Sequence, residues 1–287
     1  MFFVYAWRSS GKFRLGFGLL VALCVIALLQ PLEIRLLLGS VDPLAQATFD
    51  IFENPSPAHP FGTDRFGRDV LALVLIGLGS SLEVGFLAGS ISTVLGVVVG
   101  FVAGYKGGAA DGALRTVTDM FLVIPTLPLL ITLSAYARSV SLPVLGLILA
   151  SFSWPFAARA IRTQVLSLRS RPYVELARMS IMNDAEIIFQ ELVPNLVGYI
   201  ALGFAGATLG AIGALVGLEL IGLGPSNTMD LGLLINLAQQ WGVLSLGKWP
   251  VFTAPVLALV SVFVAMVLIN IGMEETFNPR LRGVTGR

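Results

Sequence analysis

The sequence predicts an all-α membrane protein with six transmembrane helices, and three observations carry that prediction. Hydrophobic residues make up 56% of the chain against 12% charged, and the mean hydropathy of +0.87 lies far above that of a soluble domain. Uncharged windows recur at lengths that fit the about 20 helical residues needed to cross a hydrocarbon core. The windows lack the alternating pattern of barrel strands, and in lipid only helices or closed barrels satisfy every backbone hydrogen bond.

The windows run Leu15–Leu32, Val84–Tyr105, Met120–Ala137, Ser139–Ala158, Leu192–Leu218 and Trp249–Met273. They divide the chain into an N-terminus with the first span (1–32), an external region (33–79), a five-helix core (80–274) and a tail (275–287). Arg8, Lys12 and Arg14 precede the first window as basic residues precede a signal peptide. The run ends in "LLQPLEIR" without a small-residue cleavage pattern, so it reads as a retained span. Within 33–79, "ENPSPAHPFGTDRFGRDVL" predicts a loop from its Pro, Asn and Gly density, and "RDVLALVLIGLGSSLEVG" an amphipathic helix leading into the second span.

Gly85, Gly89, Gly96, Gly100 and Gly104 in the second window, and Gly206, Gly210, Gly213 and Gly217 in the fifth, are spaced so that backbones can touch. Such spacing serves either tight packing or a surface that slides or lines a conduit. Pro125, Pro128, Pro143 and Pro155 sit in or beside the third and fourth windows, where an interior proline removes a backbone hydrogen bond and kinks a helix. A seventh uncharged stretch, Leu231–Gly247, is polar in its middle through Asn236, Gln239, Gln240 and Trp241. It reads as a short interfacial or re-entrant helix.

Orientation follows from the distribution of Lys and Arg. With the N-terminus inside, the cytoplasmic segments carry Arg8, Lys12, Arg14, Lys106, Arg115, Arg159, Arg162, Arg169, Arg171, Arg178, Arg280, Arg282 and Arg287. Only Arg35, Arg65, Arg68, Arg138 and Lys248 fall outside. Both termini and Tyr173–Asn195 are thereby expected in the cytoplasm.

Several chemistries find no support in the residues. Glu83, Asp119, Arg138 and Glu219 lie near the ends of predicted spans, so no proton relay across the bilayer is expected. His59 is the sole histidine, which leaves no His/Cys cluster of metal-ligand spacing, and it reads as a solvated turn residue. Cys24 is the sole cysteine and serves as a small hydrophobe. "GVLSLGK" at 242–248 resembles the start of a phosphate-binding loop, yet Trp249 stands where a Ser or Thr would hold Mg²⁺ and no strand is expected before it. A net charge of +1 gives no reason to expect nucleic acid as a partner.

"YVELARMSIMNDAEIIFQELVPN", Tyr173–Asn195, is the polar exception in the second half of the chain. Pro172 suits a first helical position, and Val174, Ala177 and Ile181 mark one side of a short helix. Asn183 with Glu186 three residues on makes a capping box for a second short helix, and Pro194 opens the next span. This helix, turn, helix unit reads as a docking element for a cytosolic partner or as an amphipathic pair on the membrane surface.

The stretch "LSLRSRPYVELARMSIMNDAEIIFQELVPN" resembles the EAA loop of ABC importer permeases, with Tyr173, Val174, Glu175, Ala177, Arg178, Ile187, Ile188, Phe189, Pro194 and Asn195 as matching residues. "HPFGTDRFGRDV" at 59–70, "IGLG" at 221–224 and "NPRLRG" at 278–283 are similar to the second, C-type permease of the oligopeptide/dipeptide/nickel importer family. The resemblance implies a six-helix subunit of a prokaryotic inner membrane with a cytoplasmic coupling-helix loop at 168–191. It implies as partners a second, homologous permease, two cytosolic ATPases that hold ATP and Mg²⁺, and an external substrate-binding protein. No cofactor on this chain is implied, and the cargo is a peptide, with nickel complexes or oligosaccharides as alternatives.

Tyr173, Val174, Glu175, Ala177, Arg178, Asn183 and Asp184 are the implied coupling residues, with Val174 and Ala177 expected in an apolar groove of the ATPase. Two departures stand out. Ile181 occupies the place of the loop's usual glycine, so the turn is expected to be made differently or shifted to Asn183–Asp184. "ELIGLG" puts Glu219 near the external end of the fifth span, as a candidate for the path or external gate or as a carboxylate reaching external water or a partner. An ATP-independent channel or carrier is the alternative, and it would need intramembrane polar groups that the windows lack.

Overall fold

The computed structural model describes residues 2–136, 141–224 and 228–277. Arg138, Arg280, Arg282, Arg287 and the "NPRLRG" motif lie outside the described residues. In chain order the helices are α1 (Phe2–Ser9), α2 (Gly11–Leu38), α3 (Val70–Lys106), α4 (Gly108–Val123), α5 (Thr126–Tyr136), α6 (Leu142–Leu168), α7 (Pro172–Met179), α8 (Asp184–Glu186), α9 (Val193–Leu220), α10 (Leu231–Gln240) and α11 (Trp249–Phe277). Five continuous stretches are long and apolar enough to cross a membrane: Gly11–Leu38, Val70–Lys106, Leu142–Leu168, Asp184–Leu220 and Trp249–Thr276.

The third expected span differs. It is broken at Ile124–Pro125 into α4 and α5, because a residue before proline is pushed out of helical geometry, and Ile124 adopts φ −69, ψ 120. Two other boundaries move as well. α2 runs through Pro31 to Leu38, so the first helix extends beyond residue 32. The expected lead-in helix and the second span are one 37-residue helix, α3, about 55 Å long at 1.5 Å per residue. Asp69 starts it by capping the Ala72 amide (2.8 Å), and its interior contains no proline.

Helix directions follow from the glycine contacts. A Cβ at Gly96 would press on Ala157 and Ala158, one at Gly100 on Ala158 and Ile161, and one at Gly104 on Val165. The partner number climbs with the glycine number, so α3 and α6 are parallel. Gly85 and Gly89 instead meet Ile212 and Thr208 in descending order, which makes α9 antiparallel to α3. The parallel pair requires the chain between Lys106 and Leu142 to return across the bundle, and α4 and α5 lie on that return. Antiparallel α2 and α11 are clasped at one end by the Lys12–Glu275 ion pair (2.5 Å) and by Ser9 with Thr276 (3.2 Å).

The region before α3 is a folded cap. Ala47 and Phe49 amides donate to the carbonyls of Phe66 (2.7 Å) and Gly67 (3.1 Å), and the Phe52 amide donates to that of Asp64 (3.2 Å). Arg68 donates twice to Asp64 Oδ2 (2.8 and 2.6 Å) inside it. His59 is 7% exposed, contrary to the solvated turn residue expected. Its Nδ1 lies 2.8 Å from Asp69 Oδ2 and its ring packs on Phe49. The imidazole thereby ties the cap to the residue that starts α3.

Leu231–Gly247 forms the ten-residue α10 and a run of turns, and α10 at about 15 Å is too short to span. Leu231, Leu234, Ile235 and Ala238 bury it against α3 and α11 residues in one apolar cluster. Lys248, the last residue of the "GVLSLGK" stretch, donates to Asn54 Oδ1 in the cap (2.7 Å).

Candidate functional site

α7 begins at Pro172, whose missing N–H is no loss in a first turn. Val174 and Ala177 are 0% and 6% exposed. They pack inward on Phe101, Tyr105, Ile161, Val165, Ile187 and Leu192, so they face the chain's own core and are not open to an outside groove. This corrects the expected role of the apolar side of α7. The opposite side carries Glu175, Leu176 and Met179, all exposed, and Ile181 (92%) and Phe189 (71%) continue that surface. Tyr173 is half-buried beside the inward cluster, and burial pushes its phenol up from the usual value.

The turn after α7 sits at Ile181 and is not shifted to Asn183–Asp184. The Met182 amide donates to the Ala177 carbonyl (3.3 Å) and the Ile181 amide to the Arg178 carbonyl (3.2 Å). These are the paired bonds of a Schellman motif, which needs a left-handed residue at the position Ile181 fills. Its φ is +61. A β-branched side chain there is strained, which explains why a glycine is expected at this place.

Asn183 then caps the next helix. Its Oδ1 accepts from the Glu186 amide (2.9 Å) while Glu186 Oε2 accepts from the Asn183 amide (2.8 Å), the reciprocal box predicted. The second short helix is not separate. It passes through a π-helical turn, Ile187–Leu192, directly into α9. At the end of that turn the Val193 amide reaches back to the Ile188 carbonyl. The widened turn accommodates Pro194, which lacks an N–H and would clash in a regular helix. Asn195 Nδ2 donates to the Glu191 carbonyl (2.6 Å), occupying an acceptor beside the proline.

Tyr105, at the end of α3, gathers the predicted polar residues. Its hydroxyl donates to Asp184 Oδ1 (2.9 Å), and the Arg178 guanidinium lies 5.5 Å from its ring centroid, within cation–π range. Arg169 Nη1 donates to the Gly104 carbonyl (2.9 Å) just before it. Sequence reasoning passed over Tyr105. The available signal was an aromatic with a hydroxyl at the end of a span, followed by Lys106 and Gly107.

α7 is therefore fastened to α3 and α6, while its outer side stays free. Beside it, Asp111 and Arg162 pair bidentately (2.5 and 2.6 Å), and Arg159 bonds Asp119 (2.5 Å) across α4 and α6. A groove of about 760 Å³ runs between α6 and α9, with α3 and α5 contributing to its walls. Gly206 and Gly210 line it, and a Cβ at either would meet no described atom within 4 Å. Thr93, 6% exposed, also lines it, and its hydroxyl has no hydrogen-bond partner among the described residues.

Glu219 is absent from this lining and is 2% exposed. It neither lines this groove nor reaches water, so the solvated carboxylate expected as one alternative is not what the fold holds. The side chain turns into the α9–α10 junction, against Gly224 and Gly232.

Comparison with known proteins gives one consistent result. A family model described as "Binding-protein-dependent transport system inner membrane component" matches residues 96–283. The chain is 33% identical over 270 residues to a probable peptide ABC transporter permease protein, y4tQ, of Sinorhizobium fredii, covering 93% of this chain and 88% of that protein. It is 30% identical over 272 residues to a putative peptide transport system permease protein of Brucella suis, covering 94% and 88%. With the oligopeptide transport system permease protein OppC of Mycobacterium tuberculosis the identity is 30% over 254 residues, covering 85% and 86%.

Proposed function

The chain belongs to the family of binding-protein-dependent transport system inner membrane components and is a membrane permease of an ABC importer; from that premise we propose that its α7 unit couples the bundle to cytosolic ATPases and that its cargo is a peptide. The observation that carries the coupling reading is the two-sidedness of Pro172–Met179. Val174 and Ala177 lock one side to α3 and α6 while Glu175, Leu176, Met179, Ile181 and Phe189 stay exposed on the other. A lever needs both properties: force applied to the free side passes through packed side chains into the spans.

In this reading Tyr173, Val174, Ala177, Asn183 and Asp184 build the lever. Arg178, on Tyr105, braces it, and Glu175 with the exposed apolar residues contacts the ATPase. ATP and Mg²⁺ act on the two ATPase subunits, and an external binding protein delivers cargo. A second permease closes the α6–α9 groove into a path. α4 and α5 together form the sixth crossing, both termini face the cytoplasm, and the complex lies in a prokaryotic inner membrane. Peptide cargo is supported by the names of the three relatives.

Leu176→Glu and Glu175→Lys, made separately in the full complex, test the lever. Both positions are exposed, so the subunit is expected to insert and fold normally. Peptide uptake into vesicles should fall at least tenfold, with loss of ATPase subunits on purification or ATP turnover no longer tied to uptake. Normal uptake in both variants would overturn the coupling assignment.

A further inference from the structure

The junction of α9 and α10 holds two acidic side chains that neither the lever nor the groove uses. Glu219 and Asp230 are 2% and 0% exposed. Asp230 Oδ1 caps α10 by accepting from the amides of Gly232 (2.8 Å) and Leu233 (3.1 Å). Its Oδ2, and Oε1 of Glu219, are buried with no hydrogen-bond partner among the described residues. The backbone closes round this pair: a Cβ at Gly224 would overlap the Glu219 carboxyl, and one at Gly232 would come within 3.0 Å of Glu219 Cβ.

The surrounding elements supply no described cation. From α3 comes Ser81, whose Oγ accepts from the Leu231 amide (3.1 Å); the other acid there, Glu83, is on the exposed side. From α10 comes Asn236, which donates to the Leu220 carbonyl (3.1 Å). Thr228, two residues before Asp230, has a buried hydroxyl with no hydrogen-bond partner among the described residues. Among the described residues, the charged group set against Glu219 is Asp230, and a Cβ at Gly232 would touch both Glu219 Cβ and Asp230 Oδ1.

Two ionised carboxylates facing each other away from water would repel and lose their hydration, and no charge among the described residues offsets either cost. One proton removes both penalties, since the protonated acid donates to the remaining carboxylate. We propose that Glu219 and Asp230 form a buried proton-binding site, with one proton bridging Glu219 to Asp230 and latching the end of α9 to the start of α10. Releasing that proton to bulk water leaves two facing charges, so the junction must part and admit water. Asp230 then still caps α10 through Oδ1, so the helix start survives while its tie to α9 is lost.

The test uses the purified importer complex in lipid nanodiscs and does not depend on the cargo or on the coupling reading. Infrared spectra should show the carbonyl stretch of a protonated carboxyl at neutral pH that disappears in Glu219→Gln. The thermal midpoint of the native complex should fall as pH rises, because the folded state holds a proton that the unfolded chain gives up. Glu219→Gln, which keeps a donor for Asp230 without the charge, should show no such fall from this site. If that variant does not assemble, Asp230→Asn serves, and the same band should shift or vanish. No carboxyl band attributable to either residue, or a midpoint governed by Na⁺, K⁺ or Ca²⁺ instead of pH, would overturn the proposal in favour of a metal cation between the two acids.

Discussion

Replacing Ile181 by glycine is expected to order the α7 loop, although it removes a large side chain. The left-handed conformation at φ +61 costs a residue with a Cβ roughly 1–2 kcal/mol, and glycine avoids this. Against that stands the greater freedom of glycine in the unfolded chain, about 0.5–1 kcal/mol. Little burial is lost, because Ile181 is 92% exposed. The net gain is about 0.5–1 kcal/mol, or roughly a two- to fivefold lower population of the open turn. Hydrogen exchange of a peptide covering 176–190, followed by mass spectrometry on the complex, reads that population through the Ile181 and Met182 amides. Ile181→Ala is the control, since it shortens the side chain and keeps the Cβ, and its exchange should stay near that of the native protein. Faster exchange in Ile181→Gly, or equal protection in the alanine and glycine variants, would refute the strain argument. If Ile181 also touches an ATPase, the glycine variant will be better ordered and transport less well, which separates strain from contact.

Two further outcomes follow from the same geometry. Gly100→Ala places a Cβ 2.8 Å from the Ala158 carbonyl oxygen and 2.9 Å from Ile161 Cβ, so overpacking should destabilise the α3–α6 pair by about 1–3 kcal/mol. Gly206→Ala meets open space and should leave thermal stability unchanged; the reverse order of the two midpoints would contradict the packing described. In the second case, the Arg162 guanidinium holds the Asp111 carboxyl below its usual range. A lowered carboxyl contributes stability above its unfolded value of about 3.9 and loses it as pH falls through the folded value. Arg162→Gln should therefore lower the midpoint at neutral pH and converge with the native protein in acid. Parallel curves down to about pH 3 would show that the pair contributes nothing to acid sensitivity.

Local chemistry made parts of the fold legible. The capping box at Asn183 and Glu186 and the first-turn Pro172 are short-range rules, and both features are present. What escaped depended on which surfaces meet. Periodicity marks Val174, Ala177 and Ile181 as one apolar side, but Ile181 leaves that side because the left-handed turn at φ +61 swings it into the open, and for the other two the same pattern fits a partner's groove or the chain's own core. Only the placement of Phe101, Tyr105 and Ile161 decides between them. His59 reads as solvated in the sequence because its partner Asp69 lies ten residues on, and nothing in the spacing shows that the cap folds back onto α3. Glu219 misled for the opposite reason: a carboxylate near a helix end normally finds water, and here α10 covers it.

The glycines show most directly how one sequence signal divides into two uses. Those of α3 are consumed within the chain: Gly85 and Gly89 against α9, and Gly96, Gly100 and Gly104 against α6. Gly206 and Gly210 carry the same spacing on α9 and meet nothing. Close approach without a hydrophobic drive is what such spacing provides in lipid: Gly85 and Gly89 seat the later half of α9 on α3, and Gly96, Gly100 and Gly104 join the parallel α3–α6 pair on which α7 is mounted. The α9 set borders the groove, on a helix continuous with α7's neighbour through the π-turn at Ile187–Leu192. Motion at α7 thus has a rigid route into α3 and α6 and a more deformable one into α9, since the π-turn is where the regular hydrogen-bond ladder is already interrupted. Under the coupling reading, the groove changes shape because α9 moves relative to a fixed α3–α6 pair, with Pro194 and Asn195 marking the hinge.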